Sequence, residues 1–413
     1  MGVVRGFFQG MGTMVPTAVS QILEQIVNAI VSVIGASYLL QMGKKAAESQ
    51  NEPSLPFAYG AAGGTLGTVS GALFGLIFLL VLLKLFYPRF KKRMVRDTMH
   101  REESYKEIYT VLLLTIAPVI LSTAIYNIND TIDQGIFSSV VISQGYTEKK
   151  AASLLGMFTG KYNTLIHIPL AVANSLGASL IPSLTGAVAT DNRKAIHAKI
   201  QMVIRFAMLI AIPSCVAFMV IPNQILSLLY VGNIEIPAKL LRIGAITVVF
   251  YCLSTVTNSI LQGLNHMTTP VKHGAISLGI HLVAVVIMLV GFKWNIYSLV
   301  VGNIVFSLCM CILNGRALKR YANYRQEIRK TFLLPFAAAF TMGIGLFVSY
   351  FGISMVLPKK IATIIAILIA ACVYVVCLLK FGALTSDEVV ALPKGKILLR
   401  VFQRLHLVRK EIE

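Results

Sequence analysis

Charge is scarce in this chain, and acidic charge scarcest of all. Of 413 residues, 13% are charged, and 17 acidic residues stand against 37 Lys and Arg, for a formal net charge of +20. A soluble domain carries about 25% charged residues, so a water-facing globular protein is excluded. There is one Trp, and there are only six cysteines. Cys215, Cys252, Cys309, Cys311, Cys372 and Cys377 all lie inside apolar runs, where cysteine packs as a small hydrophobe. Cys309-x-Cys311 has no partners nearby to complete a metal site, so no metal and no disulfide is expected. No large polar loop carries paired acids, which excludes a membrane-embedded glycosyltransferase. The basic excess raises nucleic acid as a partner, but there is no soluble domain to carry a groove or a reading helix, and the charges sit in loops.

What is abundant is apolar surface: 56% of the residues are hydrophobic and the mean hydropathy is +0.76. The expectation is an all-α polytopic membrane protein with about ten transmembrane helices, at residues 14–40, 59–85, 108–142, 159–188, 200–221, 240–262, 273–292, 296–318, 331–357 and 361–379. Lys and Arg concentrate in alternate loops. Arg5, the 88–107 cluster, Arg193 and Lys194, Lys272, the 316–330 cluster and the tail share one side. That asymmetry predicts that both termini of this chain are cytoplasmic. The tail at 381–413 reads as a basic amphipathic helix on the anionic inner leaflet, with a disordered basic tail as the alternative.

The segment at 14–40 holds one formal charge, Glu24. As a helix it is about 40 Å long, and Glu24 lies about 15 Å deep. Ser20, Gln21, Glu24, Gln25, Asn28 and Ser32 fall within an arc of about 140°. A spanning helix with one polar face turns it toward other helices or toward water. Arg5, Glu24, Gln25 and Asn28 are therefore candidate cavity residues.

Asn127, Asp130, Asp133 and Gln134 share an arc of about 120° on the third span. Two carboxylates at i and i+3 inside a membrane are costly and usually functional. Binding of a coupling cation (Na⁺ or H⁺), a solvated outer vestibule and a structural pair all remain open. A metal dyad of the polyprenyl-transferase type would need a cytoplasmic position, which the topology denies. Gly160, Asn163, His167, Ala171, Asn174 and Ala178 form a stripe about 80° wide on the fourth span, suited to helix packing or to lining a cavity. His167 and His281 are lone intramembrane histidines, each either a satisfied interior group or a proton relay. Arg205 lies near the cytoplasmic end of its span, where it can snorkel to lipid phosphates or, with Arg5, grip a pyrophosphate. The spans at 331–357 and 361–379 contain no charge, as lipid-facing helices or a groove for a long isoprenoid tail would.

A short repeat organises the chain. Residues 8–16, Phe-Gln-Gly-Met-Gly-Thr-Met-Val-Pro, match residues 261–270, Leu-Gln-Gly-Leu-Asn-His-Met-Thr-Thr-Pro. Each copy precedes two spans and a basic loop. Parallel repeats are common in transporters. The later copy ends a fourth span counted from the 88–107 loop, which predicts that about four spans, roughly 120 residues, belong upstream of Met1. On that reading residues 1–87 are a two-span remnant of a first lobe. Residues 88–107 are a basic cytoplasmic linker, 108–318 a complete six-span second lobe, and 331–380 two extra C-terminal spans. The whole would have 14 helices in two lobes, and residues 1–413 alone would not flip lipid.

Particular motifs carry a family resemblance. Arg5-Gly-Phe-Phe-Gln-Gly10 with Pro16-Thr-Ala and Ser20-Gln, Asn163-Thr-Leu-Ile-His-Ile-Pro169 through Ser179-Leu-Ile-Pro-Ser183, Leu261-Gln-Gly263 and Pro393-Lys-Gly395 resemble the mouse-virulence-factor branch of the multidrug/oligosaccharidyl-lipid/polysaccharide exporters. Within it the chain is similar to the lipid II flippases and the stage V sporulation protein B group. The resemblance implies two six-span lobes around a central cavity, often with two further spans. It also implies alternating-access movement of a polyprenyl-pyrophosphate-linked sugar across the bacterial cytoplasmic membrane, with no ATP site, no cofactor and no enzymatic step. Lipid II-type members place important arginines in their first two spans, positions this chain does not contain. A cation-coupled multidrug exporter is the alternative within the superfamily. It is disfavoured by the two spans beyond the second lobe.

Overall fold

The computed structural model describes residues 1–50, 52, 54–95 and 104–383. Residues 96–103 of the expected linker and 384–413 of the expected tail lie outside the described residues. All regular structure among the described residues is helical. Nine helical segments there are long and apolar enough to cross a membrane. The further span expected at 108–142 is covered by one continuous helix, Tyr105–Ser143, several of whose side chains, Asn127 among them, lie outside the described residues. The chain divides into two compact units, Met1–Tyr105 and Lys106–Glu413.

The first unit is a helical hairpin with a short lead-in. Helix α1 (Gly2–Gly10) precedes α2 (Val15–Gln50) and α3 (Leu55–Val95). Helix α2 overruns its apolar span because the Lys, Gln, Glu and Ala beyond it are good helix formers, and α3 runs on through Pro88 into Lys91 and Lys92. The polar arc of α2 is met by glycines of α3. A Cβ on Gly67 would strike Ser32 Oγ and come within 2.6 Å of the Asn28 carbonyl oxygen. One on Gly71 would sit 2.5 Å from the Glu24 carbonyl oxygen, and one on Gly63 would strike Gly35. Backbones this close are a membrane-helix packing device, since dispersion and hydrogen bonds act there without a hydrophobic drive. Ser32 Oγ spans the seam, donating to the Gly64 carbonyl at 2.9 Å. Gly67→Ala should therefore splay the hairpin at a cost of about 1–3 kcal/mol. A lowered melting temperature and weaker disulfide trapping between cysteines placed at the two ends of the seam would report it.

In the second unit α9 (Glu235–Gly263) is the central post. It buries Leu241, Ala245, Val248, Cys252, Val256 and Ile260 among α6 (Thr164–Ala189), α7 (Arg193–Val220) and α11 (Tyr297–Ala322). The helix α5 (Glu148–Met157) runs into α6 through a π-helical turn, Phe158–Asn163. A short helix α8 (Pro222–Leu229) leads into α9, and α10 (Thr268–Val286) packs on α11. The first helix of this unit, α4 (Tyr105–Ser143), runs beside α10. Ile125 lies against Gly274, and Gln144 Nε2 donates to the Leu289 carbonyl at 2.9 Å. The last two helices, α12 (Leu334–Ser354) and α13 (Lys359–Lys380), form a pair whose α12 packs on α7. Val216 presses on Gly343, and Tyr374 Oη donates to the Leu209 carbonyl at 2.9 Å. The two C-terminal helices thus belong to the same compact unit as α4–α11.

Candidate functional site

The carboxylates of α4 face different surroundings although they lie one turn apart. Asp133 is 1% exposed, and its Oδ1 accepts a 2.7 Å hydrogen bond from Nε2 of fully buried His281 on α10. A carboxylate only accepts, so that imidazole nitrogen carries the proton. Gly302 of α11 is the reason the ring fits: a Cβ there would lie 3.0 Å from His281 Nδ1 and closer still to its Cε1. Among the described residues, no side-chain partner is placed for Asp133 Oδ2 or His281 Nδ1. A buried pair left with such an atom on each member is costly to keep unless it acts.

Asp130, the neighbouring carboxylate, opens instead into a cavity of about 220 Å³ lined by Gln134, Phe158, Thr159, Asn163, Thr164 and His167. The π-helical turn Phe158–Asn163 supplies part of the wall. An extra residue in a turn shifts the side-chain register, and such turns recur at functional sites. The structure therefore joins Asp130 and Gln134, read from the third span, to Asn163 and His167, read from the fourth. Asn174 is exposed two turns further along α6 and is not among the cavity residues. Among the described residues, no group of three or more His, Cys, Asp or Glu is placed to hold a metal ion.

Arg205 points elsewhere. It is 5% exposed and pairs with Glu327 in the α11–α12 connection, Nη2 to Oε2 at 2.5 Å, while Gln201 also donates to that carboxylate. Burial raises the Glu327 carboxyl, but the Arg205 and Gln201 hydrogen bonds and the Arg205 and Lys330 charges outweigh it and hold it below the ordinary glutamate value. In the first unit, Arg5 of α1 donates to Ser20 Oγ at 2.9 Å and to Glu24 Oε2 at 2.7 Å. Two candidates from separate stretches thus form one ion pair at the α1–α2 junction. Gln25 is exposed on α2, and Asn28 Oδ1 lies 2.9 Å from Ser32 Oγ.

Glu327 as the partner of Arg205, the pairing of His281 and the contacts of Asn314 escaped the sequence reading. His281 was weighed only as a lone histidine, since nothing linear joins it to Asp133, 148 residues away. Asn314 of α11 donates to Thr257 Oγ1 and Asn258 Oδ1 of α9, at 3.0 and 2.8 Å, and its Oδ1 lies 2.8 Å from His273 Nδ1 of α10. Its only signal was an amide inside an apolar run.

A family model for the lipid II flippase MurJ matches residues 15–371. The chain belongs to that family. It is 28% identical over 409 residues to the lipid II flippase MurJ of Bacillus subtilis (strain 168), covering 93% of this chain and 70% of that protein. Stage V sporulation protein B of the same organism is 22% identical over 406 residues, covering 96% and 73%. A probable lipid II flippase MurJ of Bdellovibrio bacteriovorus is 22% identical over 225 residues, covering 51% and 42%. Membership in this family and the run of apolar helices make the chain a multi-pass protein of the bacterial cytoplasmic membrane.

Proposed function

We propose that this protein is a flippase that moves a polyprenyl-pyrophosphate-linked cell-wall precursor, lipid II or a close relative, across the cytoplasmic membrane by alternating access. The family match over 15–371 is the observation that carries the reading. It does not favour the multidrug alternative. The substrate is moved and not transformed, so no bond-making residue is assigned. The basic loops and the 381–413 tail lie on the cytoplasmic side, against anionic lipids of the inner leaflet. The Asp133–His281 pair, with Asp130 one turn away, is the coupling site for H⁺ or Na⁺. What supports this is its burial, its missing side-chain partners and its place inside a spanning bundle. Arg5 and Glu24 form a second, charge-neutral polar group, in the first unit.

The test is complementation. Cells depleted of their own lipid II flippase, supplied with these residues joined to four further N-terminal spans, should regain lipid-linked precursor at the outer leaflet, and cells supplied with residues 1–413 alone should not. Continued accumulation on the cytoplasmic side, with the joined chain present in the membrane, would overturn the reading.

A further inference from the structure

We infer that the Asp130 cavity reads the sugar of the lipid-linked substrate and not its pyrophosphate; the inference rests on the flippase reading above. The lining combines a carboxylate (Asp130), two amides (Gln134, Asn163), two hydroxyls (Thr159, Thr164), an imidazole (His167) and one aromatic ring (Phe158). Hydroxyl-rich ligands are bound by such a mixture. Carboxylate and amide oxygens accept from ring hydroxyls, amide N–H groups donate to ring oxygens or to an acetamido carbonyl, and aromatic rings pack on the apolar C–H face of a sugar. No hydrogen bond among the described residues uses the side chains of Asp130, Gln134, Asn163 or His167, so their donors and acceptors are available to a ligand.

The charge of the lining argues against a phosphate. Its acidic group is the Asp130 carboxyl, and no Lys or Arg is among the lining residues. Lys161, on the same π-helical turn, is directed away: its ammonium donates to the Val231 and Asn233 carbonyls. Phosphate sites are built from Arg, Lys and backbone N–H groups, and a like charge in a low-dielectric site repels strongly. A cavity of about 220 Å³ has the volume of about seven waters at ~30 Å³ each, which suits one pyranose ring and not a whole disaccharide-peptide headgroup. The π-helical turn is then a specificity device. Without its added residue, Asn163 and Phe158 would be carried out of register with Asp130.

The experiment compares two lipids on the purified full chain in nanodiscs: undecaprenyl-pyrophosphoryl-N-acetylhexosamine and bare undecaprenyl pyrophosphate. Asn163→Leu and Gln134→Met keep side-chain volume and remove hydrogen-bonding groups. Each should weaken binding of the sugar-bearing lipid about tenfold and leave binding of the bare pyrophosphate unchanged. Gln134 is exposed at the cavity rim, so its variant should fold even if the Asn163 variant does not. Equal weakening for both lipids, or no change for either, overturns the assignment while leaving the flippase reading intact. Failure of the unsubstituted chain to bind either lipid overturns the flippase reading and this inference with it.

Discussion

His281→Leu should cost about 3–5 kcal/mol of stability and abolish transport, because it leaves the Asp133 carboxylate buried without its partner. The site is dry on both sides, with His281 fully buried and Asp133 1% exposed, so water cannot replace the lost hydrogen bond. Asp133→Asn behaves differently. An amide oxygen still accepts from His281 Nε2, so the fold should lose only about 1 kcal/mol, while a group that must exchange a proton or cation is gone. Replacing both members with leucine should recover much of the stability, since removing a whole buried pair is often neutral. Melting temperatures in detergent of the unsubstituted chain, His281→Leu, Asp133→Leu and the double leucine variant close the stability cycle, with Asp133→Asn measured beside them. Precursor exposure at the outer leaflet, measured against pH, sodium and membrane potential, gives the function. Transport by Asp133→Asn with an unchanged dependence on all three would show that the pair only holds α4 to α10.

The second large effect is an asymmetry between two members of one ion pair. Arg205 is 5% exposed, whereas the Glu327 side chain is 30% exposed. Glu327→Ala strips the buried guanidinium of its carboxylate and should cost about 3–5 kcal/mol. Arg205→Met leaves a carboxylate that water can reach and should cost about 1–2 kcal/mol. Equal costs would mean that the pair behaves as a surface contact. Acid should act through the same carboxylate. Its pKa is lowered in the folded protein, so its contribution is fully present above the ordinary glutamate value of about 4.3. It is lost as pH falls through the lower folded value. The melting-temperature gap between the unsubstituted chain and Glu327→Gln should hold from pH 7 to pH 5 and close below about pH 4.

The helices were legible in the sequence because in hydrocarbon every backbone N–H and C=O must be paired within its own segment. Long apolar runs therefore specify spanning helices whatever surrounds them, and α2 extends its run where helix-forming Lys, Glu and Gln continue it. The polar faces were legible for the same reason: the angular spacing that groups Ser20, Glu24, Asn28 and Ser32, or Asp130 and Asp133, is a property of one helix. Partners were not legible. Whether Glu24 meets water or Arg5, whether Asp133 stands beside Asp130 alone or against His281, and whether Arg205 meets lipid or Glu327 depends on which helices lie side by side. That arrangement follows from the fit of many small contacts, such as the α3 glycines under the α2 polar arc and Gly302 under the His281 ring. The sequence by itself determined an all-helical membrane protein with charges placed inside it. Only the tertiary structure decided which of those charges are neutralised and which, like Asp130, are left facing a cavity, because a charge in a low-dielectric interior takes its state from its nearest neighbours.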